Sequence, residues 1–296
     1  MNGFAKEKDG AIYVDLEQEG YGKKYLLRGD GTTLYMTQDL YLSSLKKKEF
    51  SADRNIFIVA KEQEYHFKVL FELLDRLNEK QNNFHLSYGY VYDKNGKKFS
   101  SRLGNTIGAD EVYNLIVEKA KNNLLSRSTT TTSKDEIKTK SQIIGFSALA
   151  FAFLKHNPLH DINFDPDKAL EFEGETGPYL QYTYARIKSL LRKGEFEPLE
   201  SKISKTKFDE KQIQLIKELK EYSNILTDVS LKLKISSLAH YLLKIAKMYN
   251  EIYQNKKILT LTDPIIKNSL LLLSFIVSEV IKDGLELLSI DVVEEM

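Results

Sequence analysis

A tyrosine and an aspartate stand four residues apart in the segment Asp30-Gly31-Thr32-Thr33-Leu34-Tyr35-Met36-Thr37-Gln38-Asp39. Residues at this spacing share one face where a turn becomes a helix, so Tyr35 and Asp39 can act together. A carboxylate beside a phenol hydroxyl suits a guanidinium or ammonium ligand, because a carboxylate accepts paired hydrogen bonds from such groups. The structural alternative is an acidic residue in a first helical turn, where carboxylates are favoured.

A second group of polar side chains follows the apolar run Asn55–Ala60, which is typical of a buried parallel strand. Gln63 and His66 come directly after it, and ligands of open α/β sheets bind beyond the carboxyl ends of strands. Glu62 and His66 have the spacing of two metal ligands. A catalytic zinc needs three protein ligands, however, so no metal site is predicted. The alternative is a capped surface helix with a solvated histidine.

A basic, hydroxyl-rich loop follows at Lys97-Lys98-Phe99-Ser100-Ser101-Arg102-Leu103-Gly104-Asn105. Lysine, arginine and hydroxyl groups on a glycine-containing loop bind phosphates through charge and donated hydrogen bonds. Phosphoryl transfer relies mainly on such positioning and charge stabilisation. An exposed basic loop without a ligand is the alternative interpretation.

Aromatic and basic residues combine in a fourth segment, from Phe172 to Lys193. Tyr179 and Tyr182 are three residues apart on one helix face, and Arg186 follows one turn later. Aromatic rings beside cations suit unstacked RNA bases and phosphates. Tyrosines half-buried on an amphipathic helix are the alternative.

The elements that would position these residues change character along the chain. Ten of the 15 glycines precede residue 109, so strands and turns are predicted first and long helices later. A strand, a helix and a strand in succession predict a βαβ unit. The predicted elements are a hairpin (11–16 with 24–27), a turn (28–31), a helix (37 or 38 to about 48), a strand (55–60), a helix (64–80), a strand (84–92), a tight turn (95–96), a polar loop (121–133), a helix capped by Ser133 (to about 156), an irregular connection (161–167) and helices at roughly 175–193, 208–226, 229–254 and 263–288.

Composition excludes several classes of protein. The 296 residues include no cysteine, which excludes disulfides and cysteine-ligated zinc. The net charge of +1 carries no information about nucleic acid, so any RNA contact must come from local patches. The most apolar stretch, Asn268 to Ser278, is too short for a membrane span and is predicted to be a buried helix. With a polar N-terminal segment, we expect a cytoplasmic protein that does not enter membranes.

Together, the order and spacing of the four segments resemble a class I aminoacyl-tRNA synthetase, specifically the arginyl-tRNA synthetase family. The resemblance covers nearly the whole chain, including the ending from Gly284 to Met296. Its motifs are the arginine pocket (Asp30 to Asp39), the segment Ala60-x-x-Gln63-x-x-His66-Phe67, the KMSKS-like loop (Lys98-Phe99-Ser100-Ser101-Arg102-x-Gly104-Asn105) and the start of the anticodon-binding domain (Phe172-Glu173-Gly174-x-Thr176-x-Pro178-Tyr179-x-Gln181-Tyr182).

The resemblance implies a fold and an activity. The fold would be an α/β, partial Rossmann-like catalytic domain (1–125), a connecting helical region (126–174) and an all-α helical-bundle anticodon-binding domain (175–296). The activity would be that of an arginine–tRNA ligase, which activates L-arginine with ATP and transfers it to tRNA(Arg). ATP would come with Mg²⁺, and no protein-bound metal is expected.

The resemblance also implies residue roles. Arginine would be bound by Tyr35, Asp39 and Gln63. The catalytic residues would be Lys98, Ser100 and Ser101, which stabilise the triphosphate, with Arg102 supporting the loop. ATP would be contacted by His66, Tyr90, Val91 and Lys98, and tRNA by Tyr179, Tyr182, Arg186 and Met296.

The sequence departs from the family pattern in two places. Phe99 replaces the usual methionine of the phosphate loop, whose second lysine is absent, and no His-x-Gly-His (HIGH) segment occurs in the 296 residues. We therefore expect the C-terminal part of a split or truncated enzyme, inactive alone, with a separate HIGH-motif half as a partner. The alternatives are a non-catalytic tRNA-binding module and a paralogue with another RNA-related role. Retention of Tyr35, Asp39 and Gln63 favours the enzyme, because binding RNA alone needs no guanidinium pocket.

Overall fold

The computed structural model of the protein describes residues 4–79, 81–97, 108–127, 133–198 and 208–296. The chain divides into two compact units, Met1–Tyr90 and Val91–Met296. The elements are β1 (Lys6–Lys8), β2 (Ala11–Leu16), β3 (Gly22–Leu27), α1 (Tyr35–Phe50), β4 (Asn55–Ala60), α2 (Glu64–Arg76), β5 (Asn83–Tyr88), β6 (Val91–Asp93), α3 (Ala109–Arg127), α4 (Lys134–Leu154), β7 (Ile162–Phe164), α5 (Pro166–Ala169), α6 (Gly177–Lys193), α7 (Glu210–Lys220), α8 (Tyr222–Lys232), α9 (Ser236–Asn255) and α10 (Pro264–Leu287).

The first unit opens with an antiparallel sheet in the order β1-β2-β3. The predicted hairpin is confirmed, with Leu16 paired to Gly22 and Ile12 paired to Leu27. Successive strand residues face opposite sides of a sheet, so Val14 and Leu16 are both buried. They join the cluster that α1 and α2 complete, and this packing holds the start of α1 against β3.

The predicted βαβ unit is also confirmed, because β4 and β5 pair in parallel on either side of α2. Phe57 on β4 packs against Phe67 on α2, with ring centroids 5.1 Å apart. The opposite face of β4 is partly exposed, with Ile56 42% and Ile58 66% exposed. Helix α2 ends at Arg76, earlier than predicted, because Asn78 adopts a left-handed conformation (φ 56°) that stops the helix.

The strand predicted at 84–92 is two separate strands. Strand β5 ends at Tyr88, and β6 pairs in parallel with β7 in the second unit. The prediction of an irregular connection at 161–167 was therefore incomplete. Three residues are too few to show an alternating pattern in the sequence, although Phe164 is buried.

The polar loop predicted at 121–133 was wrong in its first part, because α3 continues to Arg127. Ile116, Ala120 and Leu124 recur at helical spacing and pack in one cluster with α4, which stabilises the helix despite its polar ending. The predicted cap of α4 is confirmed, since the Ser133 hydroxyl accepts a hydrogen bond from the Glu136 backbone N–H at 3.1 Å.

The second unit ends in a helical bundle, as predicted, formed by α6 to α10. The predicted break near residue 228 was wrong. The helices instead break at Glu221 and at Leu233, which adopts a left-handed conformation (φ 54°). Helix α10 is long and apolar enough to cross a membrane, with a mean hydropathy of 1.6 in its most apolar window. Its buried residues, including Leu271 and Ile281, belong to the core of the bundle.

Helices α4 and α6 come into direct contact at Ser147 and Gly177. A Cβ atom added to Gly177 would lie 2.3 Å from Ser147 Oγ and 2.5 Å from the Ser147 carbonyl oxygen. Only glycine fits at this distance, so the two helices pack more closely than side chains would permit. This contact fixes the first turn of α6, on which Tyr179 stands.

Candidate functional site

The turn before α1 is held by hydrogen bonds that the motif itself supplies. The Asp30 carboxylate accepts from the Thr32 hydroxyl at 2.7 Å and from its backbone N–H at 2.9 Å. These bonds lower the pKa of Asp30 below its ordinary value. Gly31 adopts a φ of 81°, which favours glycine, and the Thr37 hydroxyl donates to the Leu26 carbonyl. The motif therefore anchors the first turn of α1 to β3.

Tyr35 and Asp39 both lie on α1, one turn apart, as their spacing predicts. Tyr35 is 81% exposed, whereas the side chain of Asp39 is only 36% exposed. Asp39 is partly covered because its Oδ2 lies 2.7 Å from Nε2 of His66 on α2. The structure thus joins a residue predicted to bind arginine to one predicted to bind ATP, a pairing that the sequence did not reveal.

Gln63 is exposed in a short 3₁₀ turn, Lys61–Gln63, that follows directly after β4. The Tyr90 hydroxyl donates to the Glu62 carboxylate, and Lys61 Nζ lies 4.6 Å from the centroid of the Tyr90 ring. Gln63 and Tyr90 therefore stand at the carboxyl end of the parallel pair, where open α/β sheets bind ligands. Within the described ranges, no three His, Asp or Glu side chains gather as a metal site would require.

The other predicted ATP residues fall in different places. Val91 begins β6 in the second unit and packs against the cluster around Ile116. Four residues of the phosphate-loop motif, Lys98, Ser100, Ser101 and Arg102, lie outside the described residues.

An open groove of about 830 Å³ lies in the second unit. Three of the four residues predicted to contact tRNA line it together, and they are Tyr179, Tyr182 and Arg186. Acidic side chains, among them Asp167 and Glu173, line it too. The fourth predicted residue, Met296, is not among the described residues that line the groove, although it is 36% exposed.

Asn250 on α9 is a groove residue that sequence reasoning missed. Its Nδ2 donates to the Tyr179 hydroxyl and to Thr183 Oγ1, each at 3.0 Å. The Thr183 hydroxyl donates to the Tyr179 carbonyl at 2.9 Å, so its oxygen must accept from Asn250, and this fixes which way the amide faces. Asn250 Oδ1 is buried and has no hydrogen-bond partner among the residues that the structure describes. The sequence offers one indication of this role, because Asn250 is an amide residue between two tyrosines in an apolar helix.

Aromatic stacking completes the groove. The guanidinium of Arg186 lies 4.1 Å from the centroid of the Tyr253 ring, and the rings of Phe172 and Tyr182 meet edge to face at 6.2 Å. Tyr182 is 40% exposed. The groove therefore offers a planar cation and an accessible ring, which are the features that bind unstacked bases.

The C-terminal segment is tied to the same helix that carries the two groove tyrosines. Gln181 Nε2 donates to the Asp291 carbonyl at 2.6 Å, and Arg192 pairs with Glu295 at 2.8 Å. Gln181 is fully buried, so the hydrogen bond to the chain terminus is shielded from water. The segment that ends in Met296 is thereby held on α6.

Comparison with known proteins places both parts of the chain. Residues 1–166 match the family described as tRNA synthetases class I (R), catalytic domain, and residues 180–296 match the DALR anticodon binding domain. The arginine–tRNA ligase of Parabacteroides distasonis is 35% identical over 305 residues, which cover 99% of this chain and 50% of that protein. That of Flavobacterium psychrophilum is 36% identical over 299 residues, which cover 99% and 49%.

Solved structures show the same fold. Thermus thermophilus arginyl-tRNA synthetase superposes with a TM-score of 0.85 at 21% identity, covering 99% of this chain and 56% of that one. The Plasmodium falciparum arginyl-tRNA synthetase gives 0.84 at 23% identity, covering 99% and 50%. The chain spans about half the length of the curated relatives it matches. Because the catalytic-domain match covers more than half of the 296 residues, the chain belongs to the arginyl-tRNA synthetase family, with a class I α/β part followed by a helical DALR domain.

Proposed function

We propose that this chain carries the arginine-selecting and anticodon-binding parts of an arginine–tRNA ligase. The reaction would be ATP-dependent activation of L-arginine followed by transfer to tRNA(Arg). The observation that supports this most strongly is the similarity to curated arginine–tRNA ligases over 99% of the chain, which includes both family matches. The region with catalytic-domain similarity and the anticodon-domain region are therefore both retained.

The arginine pocket would be formed by Tyr35, Asp39 and Gln63. Asp39 is a half-covered carboxylate one helical turn from an exposed phenol, and a guanidinium donates strongly to such an oxygen. Gln63 follows the end of β4 and would orient the amino acid. A lysine at the substrate position would lose paired donors, so this arrangement favours a guanidinium over an ammonium group.

ATP would be bound with Mg²⁺, and the reaction would use charge to stabilise the triphosphate. Lys98, Ser100 and Ser101 would bind phosphate oxygens, and Arg102 would support their loop. Tyr90 and Val91 would border the adenine. The nucleotide contact predicted for His66 stays a prediction.

The tRNA would be bound at the groove of the second unit through Tyr179, Tyr182 and Arg186, with Met296 as a further contact. The acidic lining makes the groove unfavourable for backbone phosphates, whereas stacked rings and an amide suit unpaired bases. We therefore propose that the groove takes bases of the anticodon loop. The proposed domains are catalytic (1–125), connecting (126–174) and anticodon-binding (175–296), in a cytoplasmic protein with a separate HIGH-motif half as partner.

The proposal is tested with purified chain, tRNA(Arg), ATP, Mg²⁺ and radiolabelled arginine. We expect no arginyl-tRNA from the chain alone, and formation of arginyl-tRNA after addition of a HIGH-motif half expressed from the Parabacteroides distasonis relative. Arginylation by the chain alone would refute the proposed dependence on a second half. Failure of the chain to bind tRNA(Arg) more tightly than an unrelated tRNA would refute the proposal itself.

A second arm separates the ligase from a module that only binds tRNA. In the reconstituted mixture, Asp39→Ala should raise the KM for arginine sharply, because a charge partner of the guanidinium is lost, while tRNA binding stays near normal. Asp75→Ala is the matched control, since Asp75 is an exposed carboxylate in the same unit. An unchanged KM in Asp39→Ala would remove Asp39 from the pocket.

A further inference from the structure

The contact between Asp39 and His66 joins two helices that are separated in sequence. Asp39 Oδ2 and His66 Nε2 are 2.7 Å apart, and the two side chains are 36% and 27% exposed. Half-covered side chains at this distance form a well-localised hydrogen bond rather than a transient surface pair. The imidazole is thus committed to the carboxylate through one ring nitrogen.

The other carboxylates beside His66 in the sequence are engaged elsewhere. Glu62 accepts a hydrogen bond from Tyr90, and Glu64 pairs with Lys68 at 2.7 Å. His66 therefore pairs with Asp39 although Glu62 has the favourable i, i+4 spacing on the same segment. This selectivity indicates that the packing of α1 against α2 aims the ring at Asp39.

The pairing occupies one of the two oxygens of the Asp39 carboxylate. Its Oδ2 accepts from His66, while Oδ1 has no hydrogen-bond partner within the described parts of the chain. A neutral imidazole that donates from Nε2 leaves the carboxylate its full charge and holds its orientation. An incoming guanidinium would then meet an oxygen that is already oriented, which reduces the side-chain entropy lost on binding.

We infer that His66 is a positioning residue for Asp39 in the arginine pocket, rather than a ligand of the nucleotide. The inference rests on the proposed function, because it gives Asp39 the substrate guanidinium. While Nε2 donates to Asp39, a phosphate or a ribose could meet only Nδ1 of this ring. The inference assigns Nδ1 no nucleotide contact, so a change at His66 is expected to affect the binding of arginine and leave the binding of ATP unchanged.

The test measures binding of L-arginine and of ATP separately to the full chain by calorimetry. His66→Ala removes the donor, and His66→Phe keeps a ring without a donor. We expect both to weaken arginine binding by about three- to ten-fold, the range expected from freeing one side chain, without weakening ATP binding. His66→Gln keeps a neutral N–H near the position of Nε2 and should restore arginine binding. His160→Gln, a matched change at an exposed histidine, should alter neither.

The hydrogen bond itself is tested independently of ligands. In nitrogen-edited NMR spectra, the His66 Nε2 proton should exchange slowly in the wild type and in Asp75→Ala, and rapidly in Asp39→Ala. Circular dichroism of each variant shows whether the fold is kept.

Each outcome decides between the inference and the proposed function. If Asp39→Ala weakens arginine binding and His66→Ala does not, the inference is overturned and the arginine pocket stands. If His66→Ala weakens ATP binding alone, His66 is a nucleotide ligand. If the wild type binds no arginine, or if Asp39→Ala binds it equally well, the arginine pocket and the inference both fall, whatever the NMR shows.

Discussion

The amide of Asn250 on α9 donates to the hydroxyl of Tyr179 on α6 at 3.0 Å, 71 positions apart in the chain. The same amide also donates to Thr183 Oγ1, so Asn250 bridges two side chains of α6. Within the described residues, the Tyr179 hydroxyl accepts from Asn250 and donates to no partner, so its proton can be donated to a ligand in the groove. The recognition surface on α6 is therefore supported by a residue on another helix.

Asn250→Ala should weaken the binding of tRNA(Arg) by about five- to 140-fold, because two hydrogen bonds of about 0.5–1.5 kcal/mol each are lost at Tyr179 and Thr183. The dissociation constant can be measured by filter binding at fixed salt. Asn255→Ala is the matched control, since Asn255 lies on the same helix and, within the described part of the chain, its side chain donates only to the Glu251 carbonyl. Equal affinities for the two variants would contradict a supporting role for Asn250.

Arg186→Gln should weaken tRNA binding and remove the stacked guanidinium from Tyr253. If Arg186 stacks on a base without neutralising a phosphate, the slope of log Kd against log salt should stay unchanged while affinity falls. Lys193→Gln, at an exposed position on the same helix, should leave the affinity close to that of the wild type. A slope reduced by about one unit would instead identify Arg186 as a phosphate contact.

Gly177→Ala should destabilise the second unit by about 1–3 kcal/mol or more, because the added Cβ would overlap atoms of Ser147. Unfolding in guanidinium chloride gives the free energy directly. At Gly108, which directly precedes α3, an added Cβ would meet no atom of the described residues within 4 Å. Gly108→Ala should therefore cost no more than about 1 kcal/mol, which is typical of alanine at the residue before a helix. Similar losses in both variants would contradict the overlap with Ser147 as the cause of the destabilisation.

The stability of the helical bundle should fall at alkaline pH. Burial raises the pKa of Tyr184 to about 12, and also raises the pKa of Tyr222, Tyr241 and Tyr249 above the ordinary value of 10.0. Above pH 10 the unfolded chain therefore loses protons that the folded chain keeps. The contribution of these tyrosines to the free energy of unfolding should be fully present below pH 10 and should decrease above it.

Denaturant titrations at intervals from about pH 7 to 11, with tyrosinate absorbance followed in parallel, would measure this decline. Tyr184→Phe should make the decline in stability shallower, because one of the hydroxyl groups that ionise on unfolding is removed. A midpoint that stays constant from about pH 9 to 11 would contradict the linkage.

Local patterns were sufficient for much of the fold. The run Asn55–Ala60 was predicted to be a parallel strand because its apolar residues are continuous, and Ser133 was predicted to cap a helix from the glutamate three positions later. Tertiary packing determines the elements that those local patterns did not predict. The end of α3 has a polar sequence and stays helical because Leu124 packs on α4, and β7 exists because β6 pairs with it.

The candidate sites show the same division. Spacing predicted that Tyr179 and Tyr182 share one helix face, and the structure brings both into one groove with Arg186. Contacts between residues on different helices could not be predicted from spacing along one helix. Asp39 and His66 are 27 positions apart, and only the packing of α1 on α2 brings them together.

The partly exposed face of β4 has a consequence for the life of the protein in a cell. Parallel sheets are ordinarily covered on both faces, yet Ile58 is 66% exposed and Ile56 42% exposed. Chaperones and quality-control proteases recognise exposed apolar surface as a mark of incomplete folding. The abundance of this chain should therefore depend on how completely that face is shielded, and cellular half-life would measure the shielding.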